Sequence, residues 1–130
     1  MSMQMNNRDP IYVQVVQHFK EQIAARMLEP GQEIPSRREL AAQLKINPNT
    51  VQRAYKKMED EGLIYTERNS PSKITKDEEI LQAVRNELIL RAVDDFVRSI
   101  QSIDVPVEDV LGLVKEKYEQ DSVKKEAGGA

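Results

Sequence analysis

Residues 36–65 read SRRELAAQLKINPNTVQRAYKKMEDEGLIY. Ser36 followed three residues later by Glu39 is a capping box, in which hydroxyl and carboxylate each close an orphan amide at a helix N-terminus. It opens a short helix with Leu40, Ala41 and Leu44 inward. After Lys45-Ile46, Asn47 is placed to cap a third helix, and Pro48 sits at its first position, where a missing N–H has no intrahelical partner to lose. That helix is expected from Pro48 to Glu61, burying Val51, Ala54, Tyr55 and Met58. Gly62 stops it where a left-handed residue is usual. Two helices of about 8 and about 13 residues around a tight turn make a helix-turn-helix. Leu63-Ile64-Tyr65-Thr66 reads as a strand, Asn69-Ser70-Pro71-Ser72 as a turn, and Lys73-Ile74 as a short returning strand. A hairpin after the two helices is the winged variant.

Before this segment, Asp9 is expected to cap a first helix starting at Pro10, with Tyr12, Val15, Val16, Phe19, Ile23 and Met27 on one face. Glu29-Pro30-Gly31 ends it, and Glu33-Ile34 is a very short strand. After it, Thr75-Lys76-Asp77-Glu78 is a second capping box that opens a long helix to about Ser102. The stripe Leu81, Val84 or Arg85, Leu88 or Ile89, Val93, Phe96, Ile100 and Ile103 has near-heptad spacing. Pro106 restarts a last helix to about Gln120, with Val107, Val110, Leu111, Val114 and Tyr118 inward. The expected fold class is mainly α with a small β-hairpin wing. Residues 9–75 form a winged helix-turn-helix head and 76–120 a helical dimerisation tail; 1–8 and 121–130 are expected to be disordered.

The chemistry is sparse. Among 130 residues there is no cysteine and one histidine, His18, so thiolate and common His-based sites are excluded. No Gly-rich phosphate loop and no nucleophile–base pair appears. Asp94-Asp95 and Glu108-Asp109 are carboxylate pairs, but adjacent residues diverge on a helix. His18 reads as a packing or surface residue. No catalytic residue, metal site or cofactor is expected. The longest apolar run, Val110 to Val114, is far below the ~20 residues that span a bilayer. The first seven residues carry neither a basic stretch nor an apolar one, so the expected location is cytoplasmic, with no membrane partner.

Net charge is −3, which by itself disfavours a polyanionic partner. The distribution reverses that: residues 8–75 hold 11 Lys/Arg and 9 Asp/Glu, net +2, while 76–130 hold 8 and 13, net −5. The third helix presents Asn49, Gln52, Arg53 and Lys56, with Asn47 and Pro48 at its start. Asn and Gln pair with adenine edges in the major groove, and Arg and Lys neutralise phosphates. Arg37 and Arg38 occupy the first turn of the preceding helix, where positive charge opposes the helix dipole. Basic side chains in that position point to an anionic partner.

Four separated segments carry a resemblance. They are Pro10-Ile11-Tyr12, the run from Pro30 to Ala41, the run from Asn47 to Tyr55, and Glu61-Gly62-Leu63-Ile64. Together they resemble the head of the GntR family of bacterial transcription regulators, and the short tail looks like its YtrA-like subfamily. The resemblance implies a homodimer on a near-palindromic DNA operator, with the third helix in the major groove. It implies DNA contacts by Ser36 and Arg38, and by the recognition-helix positions Asn49, Thr50, Gln52 and Arg53. The sequence departs from the family twice. Pro48 stands where many members have an arginine, and Arg68-Asn69-Ser70-Pro71-Ser72 replaces a wing turn built on glycines. The wing is therefore expected to act through Arg68 and Lys73 on the DNA backbone.

The leading expectation is a sequence-specific transcription regulator, a repressor by occlusion. Leu88, Ile89, Val93, Phe96 and Ile100 are expected at its dimer interface, because that stripe is wider than one short helix covers. The alternatives are a metabolite-responsive sensor acting through the tail, with an unknown small-molecule effector, and a protein-interaction module that binds no DNA.

Overall fold

The structure, a computed structural model, describes residues 2–128. Helices α1 (Ile11–Ala24), α2 (Arg37–Leu44) and α3 (Pro48–Asp60) precede strands β1 (Ile64–Tyr65) and β2 (Lys73–Ile74); α4 (Glu78–Ile100) and α5 (Val107–Gly128) follow. β1 and β2 pair antiparallel, with Ile64 opposite Ile74 and Tyr65 opposite Lys73. This is the mainly helical, winged architecture expected. The chain forms two compact units, Met1–Ala92 and Val93–Ala130.

In the first unit, Val15, Phe19, Leu40, Val51, Tyr55, Met58 and Ile74 are buried together. Phe19 of α1 meets Tyr55 of α3 edge-to-face, with centroids 6.1 Å apart. Ser36 and Glu39 close the capping box at α2, and the Asn47 side chain accepts from the Asn49 amide to cap α3. The third extended piece is a single antiparallel bridge, Glu33 to Lys73, flanked by Gly31 N–H to Ile74 carbonyl at 2.8 Å and Ile34 N–H to Ser72 carbonyl at 2.9 Å.

Helix ends account for the departures. Pro10, not Asp9, is the N-cap of α1, and no side chain caps it. Asn6 takes the local role instead: its Oδ1 accepts from the amides of Arg8 and Asp9. The buried Gln14 side chain accepts from the Asn6 amide at 2.8 Å and donates to the carbonyls of Asn6 and Asp9. Asn6, expected in a disordered leader, is therefore tied to α1. At the other end, Arg26 N–H donates to the Ile23 carbonyl and Met27 N–H to that of Gln22, with Arg26 at φ 58°. This is a Schellman stop with arginine in the position glycine favours. It turns the chain out before Met27, which is 68% exposed rather than inward.

α3 ends by the same device. Gly62 N–H donates to the Glu59 carbonyl and Leu63 N–H to that of Met58, with Gly62 at φ 76°. A Cβ there would lie 2.8 Å from Ile80 Cδ1. Gly62→Ala is expected to lower stability by about 1–2 kcal/mol from left-handed strain. A denaturant titration with an unchanged midpoint would contradict this.

The second capping box does not form from Thr75. Thr75 is still in the hairpin, with its amide on the Leu63 carbonyl, and its hydroxyl accepts from the Asp77 amide. Asp77 caps α4, accepting from the Glu79 amide at 2.9 Å. Val84 is buried in the core of the first unit, and Ile80, Leu81 and Leu88 pack against it. The first turns of α4 thus complete the head, and the unit boundary falls inside α4 rather than at residue 76. Leu88, expected at a dimer seam, is partly used in this packing.

In the second unit, Phe96, Ile100 and Ile103 face Val110, Leu113, Val114 and Tyr118 across an apolar groove of about 490 Å³. Leu113 lines it in place of Leu111; Val114 and Tyr118, expected inward, line the groove yet stay exposed, and Val107 and Leu111, also expected inward, are exposed outside it. Two helices share one seam, and residues off that seam meet solvent in a single chain. α5 also runs on to Gly128 instead of ending near Gln120. No proline or glycine interrupts residues 113–127, so helix propensity carries it into the stretch expected to be disordered. The same expectation for residues 1, 129 and 130 lies outside the described residues.

Candidate nucleic-acid interface

α3 buries Val51, Ala54, Tyr55 and Met58, so helical periodicity turns Asn49, Gln52, Arg53 and Lys56 to the opposite face, where all four are exposed. Thr50 is half-buried at the edge of that face. Asn47 and Pro48 are exposed at its start; the Asn47 oxygen is engaged by the cap at 2.8 Å, leaving its amide NH₂ to donate outward. Ser36 accepts from the Glu39 amide at 3.1 Å and keeps its hydroxyl proton for an outside acceptor.

The basic side chains divide into held and free. Arg37, expected to face DNA, is built into the fold. It donates to Glu59 at 2.7 Å and stacks over the Tyr55 ring with 5.1 Å to the centroid. Its Nε is buried with no acceptor among the described residues. Arg38, one position on, is exposed and has no ion-pair partner among the described residues. Lys56 and Lys57 reach acids four residues on, Asp60 at 3.5 Å and Glu61 at 3.7 Å, on a solvated surface where such pairs are weak. Arg53 has Lys57 four residues on and no acid. Its guanidinium lies 3.9 Å over the Tyr12 ring centroid, with Nη2 3.4 Å from the Tyr12 hydroxyl.

The wing closes on a turn in which Ser70 N–H donates to the Glu67 carbonyl at 3.1 Å, with Asn69 left-handed at φ 62°. Asn69 thus takes a left-handed conformation, which glycine adopts most readily and asparagine tolerates. Arg68 is exposed at this turn, and Lys73 is half-buried on β2. Glu59 was not anticipated from the sequence. It accepts from Arg37 and, at 3.3 Å, from Thr66 at the base of the wing, so one carboxylate ties α2, α3 and the hairpin. The Tyr55 hydroxyl donates to the Pro35 carbonyl, fixing the loop before α2. Burial pushes the Tyr55 phenol well above its ordinary value, and the nearby Arg37 opposes that only in part.

Among the described residues, no group of His, Asp and Glu is gathered to hold a metal ion, and no helix is long and apolar enough to cross a membrane. His18 sits edge-on to Phe19 at 6.5 Å, as a packing residue.

Comparison with known proteins gives this arrangement a setting. The family model described as "Bacterial regulatory proteins, gntR family" matches residues 11–74. The chain is 32% identical over 115 residues to the uncharacterized HTH-type transcriptional regulator YhcF of Bacillus subtilis (strain 168), covering 88% of this chain and 95% of that protein. It is 45% identical over 67 residues to the HTH-type transcriptional repressor YtrA of the same organism, over 52% of each chain. Among solved structures, a GntR family transcriptional regulator from Listeria monocytogenes superposes with a TM-score of 0.77 at 29% identity, over 86% of this chain and 98% of that one.

Proposed function

The chain belongs to the gntR family of bacterial regulatory proteins, in its YtrA-like branch, and on that footing we propose a sequence-specific, DNA-binding transcription regulator that represses by occupying an operator. The observation that carries the reading is the α3 face. Asn49, Gln52, Arg53 and Lys56 stand exposed on one side of a helix whose other side is locked into the core, beside the exposed Arg38. Such a helix enters a major groove with its N-terminal residues on base edges. Asn49 and Gln52 supply base contacts; Arg38, Arg53 and Lys56 supply phosphate contacts, with Ser36, Asn47 and Thr50 donating at the same edge. Arg68 and Lys73 hold the backbone beside the wing. Arg37 supports this surface from within, through Glu59 and Tyr55.

The working form is a cytoplasmic homodimer on a near-palindromic site. The apolar groove of the second unit and the exposed Ile89, Val93 and Phe96 support an isologous seam. Nothing in this reading requires an enzyme activity or a cofactor. A metabolite-responsive sensor is the second reading, supported by the same groove, whose size suits a small apolar ligand. A rise in melting temperature with a metabolite that also releases DNA would favour it.

The test is binding to duplexes selected by the wild-type chain from a random library, titrated over salt. Gln52→Ala is expected to cost about 1–3 kcal/mol at one base pair and to relax preference there. Arg53→Ala should weaken all duplexes alike and lower the slope of log affinity against log salt by about 1. Equal, sequence-independent losses from both variants would contradict the assignment of these two residues.

A further inference from the structure

α3 carries three basic residues, and two of them face acids. Arg53 differs: it is stacked on an aromatic ring from a helix 41 residues earlier in the chain. The two kinds of partner leave different things behind. A carboxylate neutralises a guanidinium and occupies its hydrogen-bonding edge. A ring uses only the face, so the charge and most N–H groups stay available to an anion.

The ring itself is fixed. Tyr12 is half-buried against the core, in the first turn of α1. That turn is clamped by the buried Gln14, which accepts from the Asn6 amide and donates to the carbonyls of Asn6 and Asp9. An exposed arginine has rotamer freedom to lose when it binds. Held at 3.9 Å over a rigid ring, Arg53 has lost part of that freedom before any partner arrives.

We propose that Tyr12 is a positioning residue for DNA binding: its ring aims the Arg53 guanidinium at the DNA backbone beside α3. The proposal rests on the DNA-binding reading of the α3 face and adds to it a role for α1, an element with no residue assigned to the interface. Tyr12 touches no DNA in this account; it acts through Arg53.

The experiment is a double-mutant cycle in the full-length chain on one duplex selected by the wild type, with affinity measured over a salt series and thermal melts run on each variant. Tyr12→Leu should weaken binding about fivefold, the worth of a cation–π contact at an exposed site, while leaving the salt slope unchanged because Arg53 is still present. Arg53→Ala should lower the slope by about 1. Adding Tyr12→Leu to Arg53→Ala should change affinity no further. Tyr12→Phe, which keeps the ring, should bind like the wild type.

Three results would overturn the proposal: an equal loss from Tyr12→Leu with and without Arg53, a Phe variant as weak as the Leu variant, or tighter binding by Tyr12→Leu. The last would mean that the ring withholds Arg53 from DNA. A wild-type chain that selects no duplex would overturn the DNA-binding reading itself, a failure distinct from any of these.

Discussion

Phe96→Asp is expected to leave the protein monomeric at micromolar concentration and to lower operator affinity by about three orders of magnitude or more. Phe96 is 43% exposed in the single chain and lines the apolar groove of the second unit with Ile100, Leu113 and Tyr118. Val93 and Val97, on the same helix, are also exposed. A second copy of this surface would bury it about a two-fold axis. A carboxylate at the seam would be desolvated without a partner. One head on one half-site falls back to non-specific affinity, typically ~10⁻⁴–10⁻⁶ M at physiological salt. The residual binding should therefore remain, and remain salt-sensitive. The acidic balance of residues 76–130, net −5, would disfavour DNA contact by a dimer body built from that segment. Phe96→Leu, which keeps an apolar side chain there, should retain both dimer and affinity. Sedimentation of the wild type as a monomer, or full affinity in Phe96→Asp, would contradict the account.

Tyr55→Ala should cost about 3–5 kcal/mol, a large share of the ~5–15 kcal/mol available to a domain of this size. The ring is fully buried, packs edge-on to Phe19, supports Arg37 and donates to the Pro35 carbonyl. Tyr55→Phe keeps the ring and removes only the hydrogen bond, leaving that carbonyl unpaired, for about 1–2 kcal/mol. The phenol also has a pH signature. Burial raises its folded-state value above the ordinary 10.0, so the neutral form is the one the fold favours. Its contribution is intact below about pH 10 and is lost as pH rises beyond that. The stability gap between wild type and Tyr55→Phe should therefore narrow above pH 10 in denaturant titrations; a gap that widens there would be inconsistent with a buried neutral phenol.

The parts of the fold that were legible are those written in adjacent residues. Ser36 with Glu39, Asn47 with Pro48, and Gly62 each close a helix end by contacts within a few positions, and the structure holds all three. Asn69 is similar: a residue tolerant of left-handed backbone, found left-handed at the wing turn. The parts that were not legible depend on distant partners or on a choice between equals. Arg26 adopts a glycine's conformation because the stop at α1 demands it, which nothing local announces. Thr75 and Asp77 both suit a cap, and only the hairpin's hold on Thr75 decides between them. At the candidate interface, residue type and spacing gave the exposed α3 face. They did not separate Arg37 from Arg38, because Glu59 lies 22 residues from Arg37. Nor did they reveal that Arg53 meets Tyr12.

The central claim is that α3 lies in a major groove once in each half of a symmetric site. The chain has no cysteine, so Lys57→Cys introduces a unique thiol at an exposed position of α3 that is assigned no DNA contact. An iron chelate attached there cleaves DNA only near the helix. The account predicts cleavage at two positions related by a dyad, about one helical turn or a multiple of it apart. Cleavage spread evenly along the duplex, or confined to one position, would contradict it.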